Sequence, residues 1–155
     1  MEIEVIHNKT LEIRGCKVML DFDLALLYNV ETRALKQAVR RNTNRFPEDF
    51  MFTLTETEIN QLVSQSVIPS KSNFGGALPF AFTEQGIAML SSVLNSEKAI
   101  EVNISIIRAF VTFRQFSLTY SELKDRISII ESQFASPVRL FRLVSRHLQS
   151  LKLSG

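Results

Sequence analysis

Short stretches in which apolar and polar residues alternate recur in the first half of the chain, and this spacing predicts β-strands. They occupy residues 2–7, 10–14, 17–20, 50–54 and 78–82. Gly15 predicts a turn between the second stretch and the third. The last two lie in similar sequences, FTLTETE and FAFTEQG, so we expect their strands to be neighbours. Together these stretches predict a small antiparallel sheet.

The spacing becomes helical between residues 21 and 45, where the sequence predicts two short helices joined by a tight turn. Asp21 is the expected N-cap of the first helix, and Asn29, which tolerates a left-handed backbone, is expected at the turn. The second helix is expected over residues 31–42. The residues expected to face inward are Leu24, Ala25, Leu27, Tyr28, Val30, Ala34, Leu35, Ala38 and Val39. This pattern predicts a helix-turn-helix, whose second helix can enter the major groove of DNA.

The outward face of the second helix is polar and basic. Residues 31–45 hold five basic side chains and one acidic side chain. Arg can bridge guanine, Gln or Asn can bridge adenine, and Lys suits phosphate, so this face fits DNA. A merely solvated helix face is the alternative interpretation. The candidate DNA-binding residues are Thr32, Arg33, Lys36, Gln37, Arg40, Arg41, Asn44 and Arg45.

Punctuating residues predict the elements that follow. Pro47 bars continuation of the helical segment, and Thr55 with Glu58 has the spacing of a capping box. Residues 67–77 are rich in Ser and Gly and predict a flexible loop. Thr83 is expected to open another helix.

From Ser96 onward, apolar residues recur at alternating steps of three and four, which is the heptad spacing of a coiled coil. This seam comprises Ala99, Val102, Ile106, Ala109, Phe113, Phe116, Tyr120, Leu123, Ile127, Ile130, Phe134, Phe141, Val144, Leu148 and Leu151. Pro137 is expected to interrupt the helix, with Ser136 capping the next one. Up to about Phe116 the seam is expected to join the domain core. From Tyr120 it either packs against a twin helix or is covered by a return of the last helix.

These elements predict an α+β fold, with small antiparallel strands around a helix-turn-helix followed by long C-terminal helices. A chain of 155 residues suits one domain with an appendage. We therefore assign residues 1–118 to a DNA-binding domain and residues 119–155 to a helical tail for dimerisation, in the manner of a coiled coil.

Charge is distributed unevenly along the chain. The net charge is only +2, yet residues 31–45 and residues 137–155 each carry +4, and the remaining sections are acidic. Such concentration is what a polyanionic partner requires. In the tail, Arg139, Arg142 and Arg146 lie on one helix face. That row suits a phosphate backbone, a membrane surface or a partner protein, or it is a solvated face.

Other chemistry is not indicated. One cysteine, Cys16, and two isolated histidines offer no zinc cluster, and the sequence contains no glycine-rich phosphate loop and no catalytic constellation. Asp21 with Asp23, or Glu48 with Asp49, has the chemistry to hold a nuclease Mg²⁺, but cap and turn roles are preferred. We expect no enzyme activity and no cofactor. No signal pattern or membrane-spanning run is evident, so we expect a cytoplasmic protein.

Three sequence blocks carry a resemblance to a known family. LDFDLALLY, RFPEDFMF and FTEQG occur in this order within residues 13–114. Over this range the chain closely resembles the Orf-six N-terminal domain of phages and bacteria, a family grouped with the KilA-N domains of large viruses and phages. The resemblance implies a DNA-binding module of mobile elements and does not cover residues 120–155. The DNA face that it implies consists of Arg33, Lys36, Gln37, Arg40 and Arg41.

Pattern, charge and resemblance together predict sequence-specific binding of double-stranded DNA and regulation of transcription in a phage or mobile element. A homodimer formed through the C-terminal helices would present two recognition helices to a palindromic site. The alternative is a protein-interaction module, similar to an antirepressor, whose heptad tail engages a phage or host regulatory protein. No membrane partner is expected.

Overall fold

The computed structural model describes residues 3–68, 77–134 and 137–153 of the chain. The strands are β1 (Thr10–Ile13), β2 (Cys16–Leu20), β3 (Met51–Thr53) and β4 (Phe80–Phe82). The α-helices are α1 (Ile3–Lys9), α2 (Asp21–Tyr28), α3 (Thr32–Arg40), α4 (Glu56–Ser64), α5 (Glu84–Leu94), α6 (Glu97–Phe134) and α7 (Pro137–Leu153). A 3-10 helix, Thr43–Arg45, follows α3. The α+β fold class with long C-terminal helices is confirmed.

The four strands form one antiparallel sheet in the order β1-β2-β4-β3. Leu20 pairs with Ala81, which pairs in turn with Phe52. Side chains directly opposite one another in a sheet share a face, so these three point to the same side. There they form a buried cluster with Ile59 of α4. The predicted pairing of the last two strands and the predicted turn at Gly15 are both confirmed.

The other face of the sheet supports the segment that contains α3. Phe82 pairs with Met19 across the central strands, and the ring of Phe46 meets the Phe82 ring edge-on at 6.0 Å. Because β4 lies between two strands and side chains pack on both of its faces, all three of its residues are buried. A strand buried on both faces need not alternate in polarity.

Ile3–Lys9 form the helix α1, where alternation predicted a strand over residues 2–7; residue 2 lies outside the described residues. Ile3 and Val5 are 48% and 40% exposed, whereas Ile6, in the opposite phase of the alternation, is fully buried. The hydroxyl of Thr10 donates to the carbonyl of Ile6 at 2.7 Å. Burial of Ile6 selects the helix, because tertiary packing overrides a short periodicity.

The starts of α4, α5 and α7 follow their predicted signals. Thr55 accepts a hydrogen bond from the backbone N–H of Glu58, whose carboxylate accepts one from the backbone of Thr55, as a capping box requires. Thr83 is the N-cap of α5, and α7 begins at Pro137. Most of the loop predicted at residues 67–77 and the predicted cap at Ser136 lie outside the described residues.

Contacts divide the chain into two compact units, Met1–Val111 and Thr112–Gly155. In the first unit, one face of α6 completes the core through the buried residues Ala99, Val102, Ile106 and Ala109. Phe116, expected at the end of the core, is 72% exposed, so burial stops before it. The functions assigned to the two parts of the chain stay predictions. No described helix is both long and apolar enough to cross a membrane.

Candidate nucleic-acid interface

A tight turn joins α2 to α3, as the sequence predicted. Asn29 has a left-handed backbone, with φ 58° and ψ 44°. Its N–H donates to the carbonyl of Leu26 at 3.2 Å, and the N–H of Val30 donates to the carbonyl of Ala25 at 3.0 Å. These bonds satisfy carbonyl groups that the end of a helix leaves unpaired. The turn therefore fixes where α3 begins.

Tyr28 anchors α2 to the rest of its unit. Its buried hydroxyl donates to the side-chain oxygen of Asn103 in α6, and the amide of Asn103 donates to the carbonyl of Ile87 in α5 at 2.7 Å. Burial raises the pKa of Tyr28 well above its ordinary value, because the phenolate would lose its hydration. Tyr28 thus joins three helices as a neutral donor.

Asp21, the expected N-cap of α2, has a different role. The N-cap position is Leu20, and no side chain caps it. Asp21 is 1% exposed, and its carboxylate accepts hydrogen bonds from the backbone N–H groups of Phe22 at 2.7 Å and Phe80 at 2.9 Å. The Nζ of Lys36 lies 3.2 Å from its Oδ2. Asp21 therefore connects α2, β4 and α3.

Lys36 was expected on the DNA face, and the structure buries it. Only 6% of the residue is exposed. Its ammonium group donates to the carbonyl of Leu78 at 2.7 Å, pairs with Asp21, and lies 4.7 Å from the centre of the Phe80 ring. A cation inside a protein needs such partners because burial removes its hydration. The prediction that Lys36 points outward is wrong.

The buried face of α3 is rotated from the expected one. Leu35, Lys36 and Val39 are buried, Thr32 is half-buried, and Ala34, expected inside, is exposed. Thr32, Leu35, Lys36 and Val39 have the i, i+3, i+4, i+7 spacing of one helix face. This spacing is visible in the sequence, but a search for apolar residues alone does not assign Lys36 to the buried face.

Apart from Lys36 and Thr32, the predicted DNA-binding residues are exposed at the protein surface. The exposed residues are Arg33, Gln37, Arg40, Arg41, Asn44 and Arg45, and Ala34 lies among them. The guanidinium of Arg40 lies 5.6 Å from the centre of the Phe80 ring, and Arg45 donates to the hydroxyl of Ser92 in α5 at 3.0 Å. The exposed face of α3 and the 3-10 helix is therefore an arginine-rich surface.

The acidic residues near α2 have cationic partners. Asp23 accepts a hydrogen bond from Lys9 of α1 at 3.2 Å. Burial raises the pKa of Asp23, and the charge of Lys9 opposes that shift. Within residues 3–68, 77–134 and 137–153, no group of three or more His, Cys, Asp and Glu side chains is placed to hold a metal ion.

Comparison with known proteins identifies the family. The family model for the ORF6N domain matches residues 8–93, which is more than half of the chain. The chain belongs to the ORF6N domain family. No curated protein and no solved structure matches it. Membership associates this ORF6N protein with phages and other mobile elements and suggests a phage-type regulatory domain.

The ORF6N sequence blocks have physical roles in the fold. In the FTEQG block, the backbone N–H of Thr83 donates to the carbonyl of Phe50 at 3.0 Å, and its hydroxyl donates to the carbonyl of Asp49 at 2.8 Å. Gly86 follows in α5, where a Cβ atom would lie 2.0 Å from the carbonyl oxygen of Phe50. The FTEQG and RFPEDFMF blocks therefore meet through backbone contacts that tolerate only glycine at position 86.

Proposed function

We propose that this ORF6N protein binds double-stranded DNA sequence-specifically through α3 and regulates transcription in a phage or mobile element. The observation that carries the proposal is the exposed arginine-rich face of α3. The opposite face of the same helix is fixed to the domain by Leu35, Lys36 and Val39. A rigidly held helix with this outer chemistry is suited to the major groove, in the manner of a helix-turn-helix.

The order of side chains along α3 supports distinct roles. In a helix-turn-helix, the N-terminal part of the second helix contacts base edges. Arg33 and Gln37 suit guanine and adenine, and the exposed methyl group of Ala34 suits the methyl group of thymine. Arg40 and Arg41, at the end of α3, suit phosphates. Ala34 enters the interface only because α3 is rotated from its expected orientation.

Lys36 contributes to the framework of this interface and not to its charge. Its ammonium group is paired with Asp21, so the cations available to DNA are Arg33, Arg40, Arg41 and Arg45. Because Arg33 is assigned to a base edge, the other three arginines supply three phosphate contacts and a slope of about −2.7 in log affinity against log salt for one copy of the chain. The proposed mechanism is occupancy of the site, and we propose no catalytic step.

The test is titration of a labelled duplex with the intact protein at two salt concentrations. The duplex is first selected from a random pool by the protein itself. We expect affinity to fall steeply with salt, since arginine–phosphate contacts release counterions. Absence of binding at low salt would overturn the proposal.

Two variants and a matched control locate the interface. We expect Arg33→Ala to weaken binding by about 1–3 kcal/mol and to relax base preference at one position, and Arg40→Ala to weaken binding to all sequences. Lys17→Ala removes the same charge from an exposed position on β2. If Lys17→Ala weakens binding as much as Arg40→Ala, α3 is not the interface.

A further inference from the structure

The second unit carries an apolar seam that is exposed in the part of the chain that the structure describes. The heptad residues in the second half of α6 are Phe116 (72% exposed), Tyr120 (61%), Leu123 (54%), Ile127 (47%) and Ile130 (54%). The apolar residues of α7 are similarly exposed: Phe141 (72%), Val144 (50%), Leu148 (54%) and Leu151 (56%). In the described residues, α7 therefore does not return to cover the seam of α6.

We propose that a second copy of this chain covers this seam, and that residues 116–134 of the two α6 helices form a parallel, in-register coiled coil. The seam alternates steps of three and four residues without a break over this range, and the helix itself is continuous to Phe134. Two such helices bury their apolar residues by packing the same positions against each other. The proposal concerns self-association and does not rest on DNA binding.

The residues beside the seam favour a second copy in parallel orientation. In a parallel coiled coil, the residue just before the first seam position of a heptad meets the residue five positions further along on the partner helix. Ile127 is such a first seam position, so Arg126, just before it, meets Glu131 of the other copy. The two-fold symmetry of the dimer creates this Arg126–Glu131 pair twice. Lys124 meets the uncharged Thr119 in the same way. No like charges are opposed.

An antiparallel pair lacks this complementarity for Arg126. Antiparallel helices bring residues of the same flank together, and the flank that contains Arg126 otherwise holds Thr119 and Gln133. This flank has no acid over residues 119–133, so Arg126 would face polar or like-charged side chains. The other flank holds Lys124 and Glu131, which would face each other in an antiparallel pair, so Glu131 has a cationic partner in either orientation. The parallel pair gives it Arg126, whose planar guanidinium binds a carboxylate in bidentate geometry, and this favours the parallel arrangement.

The apolar area is sufficient for a specific interface. Five seam side chains on each of two helices, at roughly 100 Å² each, remove about 1,000 Å² from water, which meets the lower limit for a specific protein–protein interface before the flanking residues are counted. Both helices are already formed, so association orders side chains more than backbone.

The first experiment measures the mass of the full chain in solution without DNA. We expect twice the single-chain mass of 17.7 kDa. Ile130→Lys places a charge in the seam and is expected to raise the dissociation constant at least about tenfold. The matched control is Ile129→Lys, because Ile129 is 60% exposed and lies outside the seam. We expect Ile129→Lys to leave the dimer intact.

The second experiment tests orientation. Glu131→Arg is expected to weaken the dimer by opposing Arg126, and the added change Arg126→Glu is expected to restore it. A parallel, in-register pair also places Ile127 beside its own copy. We therefore expect Ile127→Cys, in a Cys16→Ser background, to form a disulfide-linked dimer on oxidation.

Several outcomes would overturn the proposal. A monomeric mass at concentrations up to about 100 μM excludes a specific dimer of ordinary affinity. Equal effects of Ile129→Lys and Ile130→Lys exclude the seam, and failure of the double charge reversal to restore the dimer excludes the parallel register. A monomer whose seam is covered only by a different protein supports the interaction-module alternative instead. None of these results depends on DNA, so loss of DNA binding leaves the proposal standing.

Discussion

Among the basic residues of the predicted DNA face, Lys36 alone is buried, and its removal is the most informative single change. In Lys36→Ala, the carboxylate of Asp21, which is 1% exposed, keeps its two backbone donors but loses the ammonium group that lies 3.2 Å from it. Removing one partner of a buried ion pair costs about 3–5 kcal/mol, because the other charge stays desolvated. We expect a loss near the lower figure, since the Phe22 and Phe80 N–H groups still stabilise Asp21.

A loss of that size is large for this protein. Domains are stable by about 5–15 kcal/mol, so the variant would give up a substantial part of its stability. For a unit of this length, about 3 kcal/mol corresponds to a fall in melting temperature of roughly 10–20 °C. Urea and thermal unfolding followed by circular dichroism measure both quantities. Arg33→Ala is the matched control, because it removes an exposed cation from the same helix and should leave stability within about 0.5 kcal/mol.

A double-mutant cycle tests the physical reason. If the cost arises from an unpaired carboxylate, Asp21→Asn with Lys36→Met should cost less than the sum of the two single changes, because no charge is left without a partner. Additive costs would refute the ion-pair argument. A Lys36→Ala protein that keeps full stability and loses DNA affinity would show that Lys36 acts on DNA and that its burial is irrelevant.

Two further changes test the packing and the charge of the first unit. Gly86→Ala places a Cβ atom 2.0 Å from the carbonyl oxygen of Phe50 and should lower the free energy of unfolding in urea by about 1–3 kcal/mol or more. The control is Gln85→Ala at the neighbouring exposed position, which should be nearly neutral. A stable Gly86→Ala protein contradicts the close approach of α5. The hydrogen bond from Arg14 lowers the pKa of Glu58 from 4.5 to about 2, so the stability that Glu58 contributes is present above pH 4.5 and is lost as the pH falls towards 2. Glu58→Gln should therefore be less stable than the parent protein at pH 7 and equally stable near pH 2. The difference at pH 7 should shrink in high salt because the Arg14–Glu58 pair is partly exposed. A stability difference that stays the same from pH 7 to pH 2 contradicts the assignment.

The local elements were largely predictable because their signals are short-range. Asn29 in the turn, Thr55 with Glu58 at a helix start and Pro137 at a helix break all act within a few residues of themselves. Such residues favour one backbone conformation whatever the rest of the chain does. The same is true of Gly15 in the β1–β2 turn. These predictions needed no knowledge of the fold.

Long-range partners account for the errors. Lys36 is buried because Asp21, Leu78 and Phe80 surround it. These partners are distant in the sequence, and no residue within one turn of α3 indicates them. Packing that buries Ile6 selects a helix for this segment, although a strict alternation predicts a strand. Tertiary contacts determine the burial of both Lys36 and Ile6, and a single sequence does not show those contacts.

The burial of α6 has a practical consequence for where the folded unit of this chain ends. The ORF6N match stops at residue 93, yet the core continues into Ala99, Val102 and Ile106, all at most 2% exposed, and it also includes Ile6 before the match begins. A fragment cut at residues 8 and 93 would expose the underside of α5 to water and would leave the Tyr28 hydroxyl without Asn103. The minimal unit to express, label or fuse therefore runs from α1 to Val111, and the stretch recognised by sequence is shorter than the body that folds.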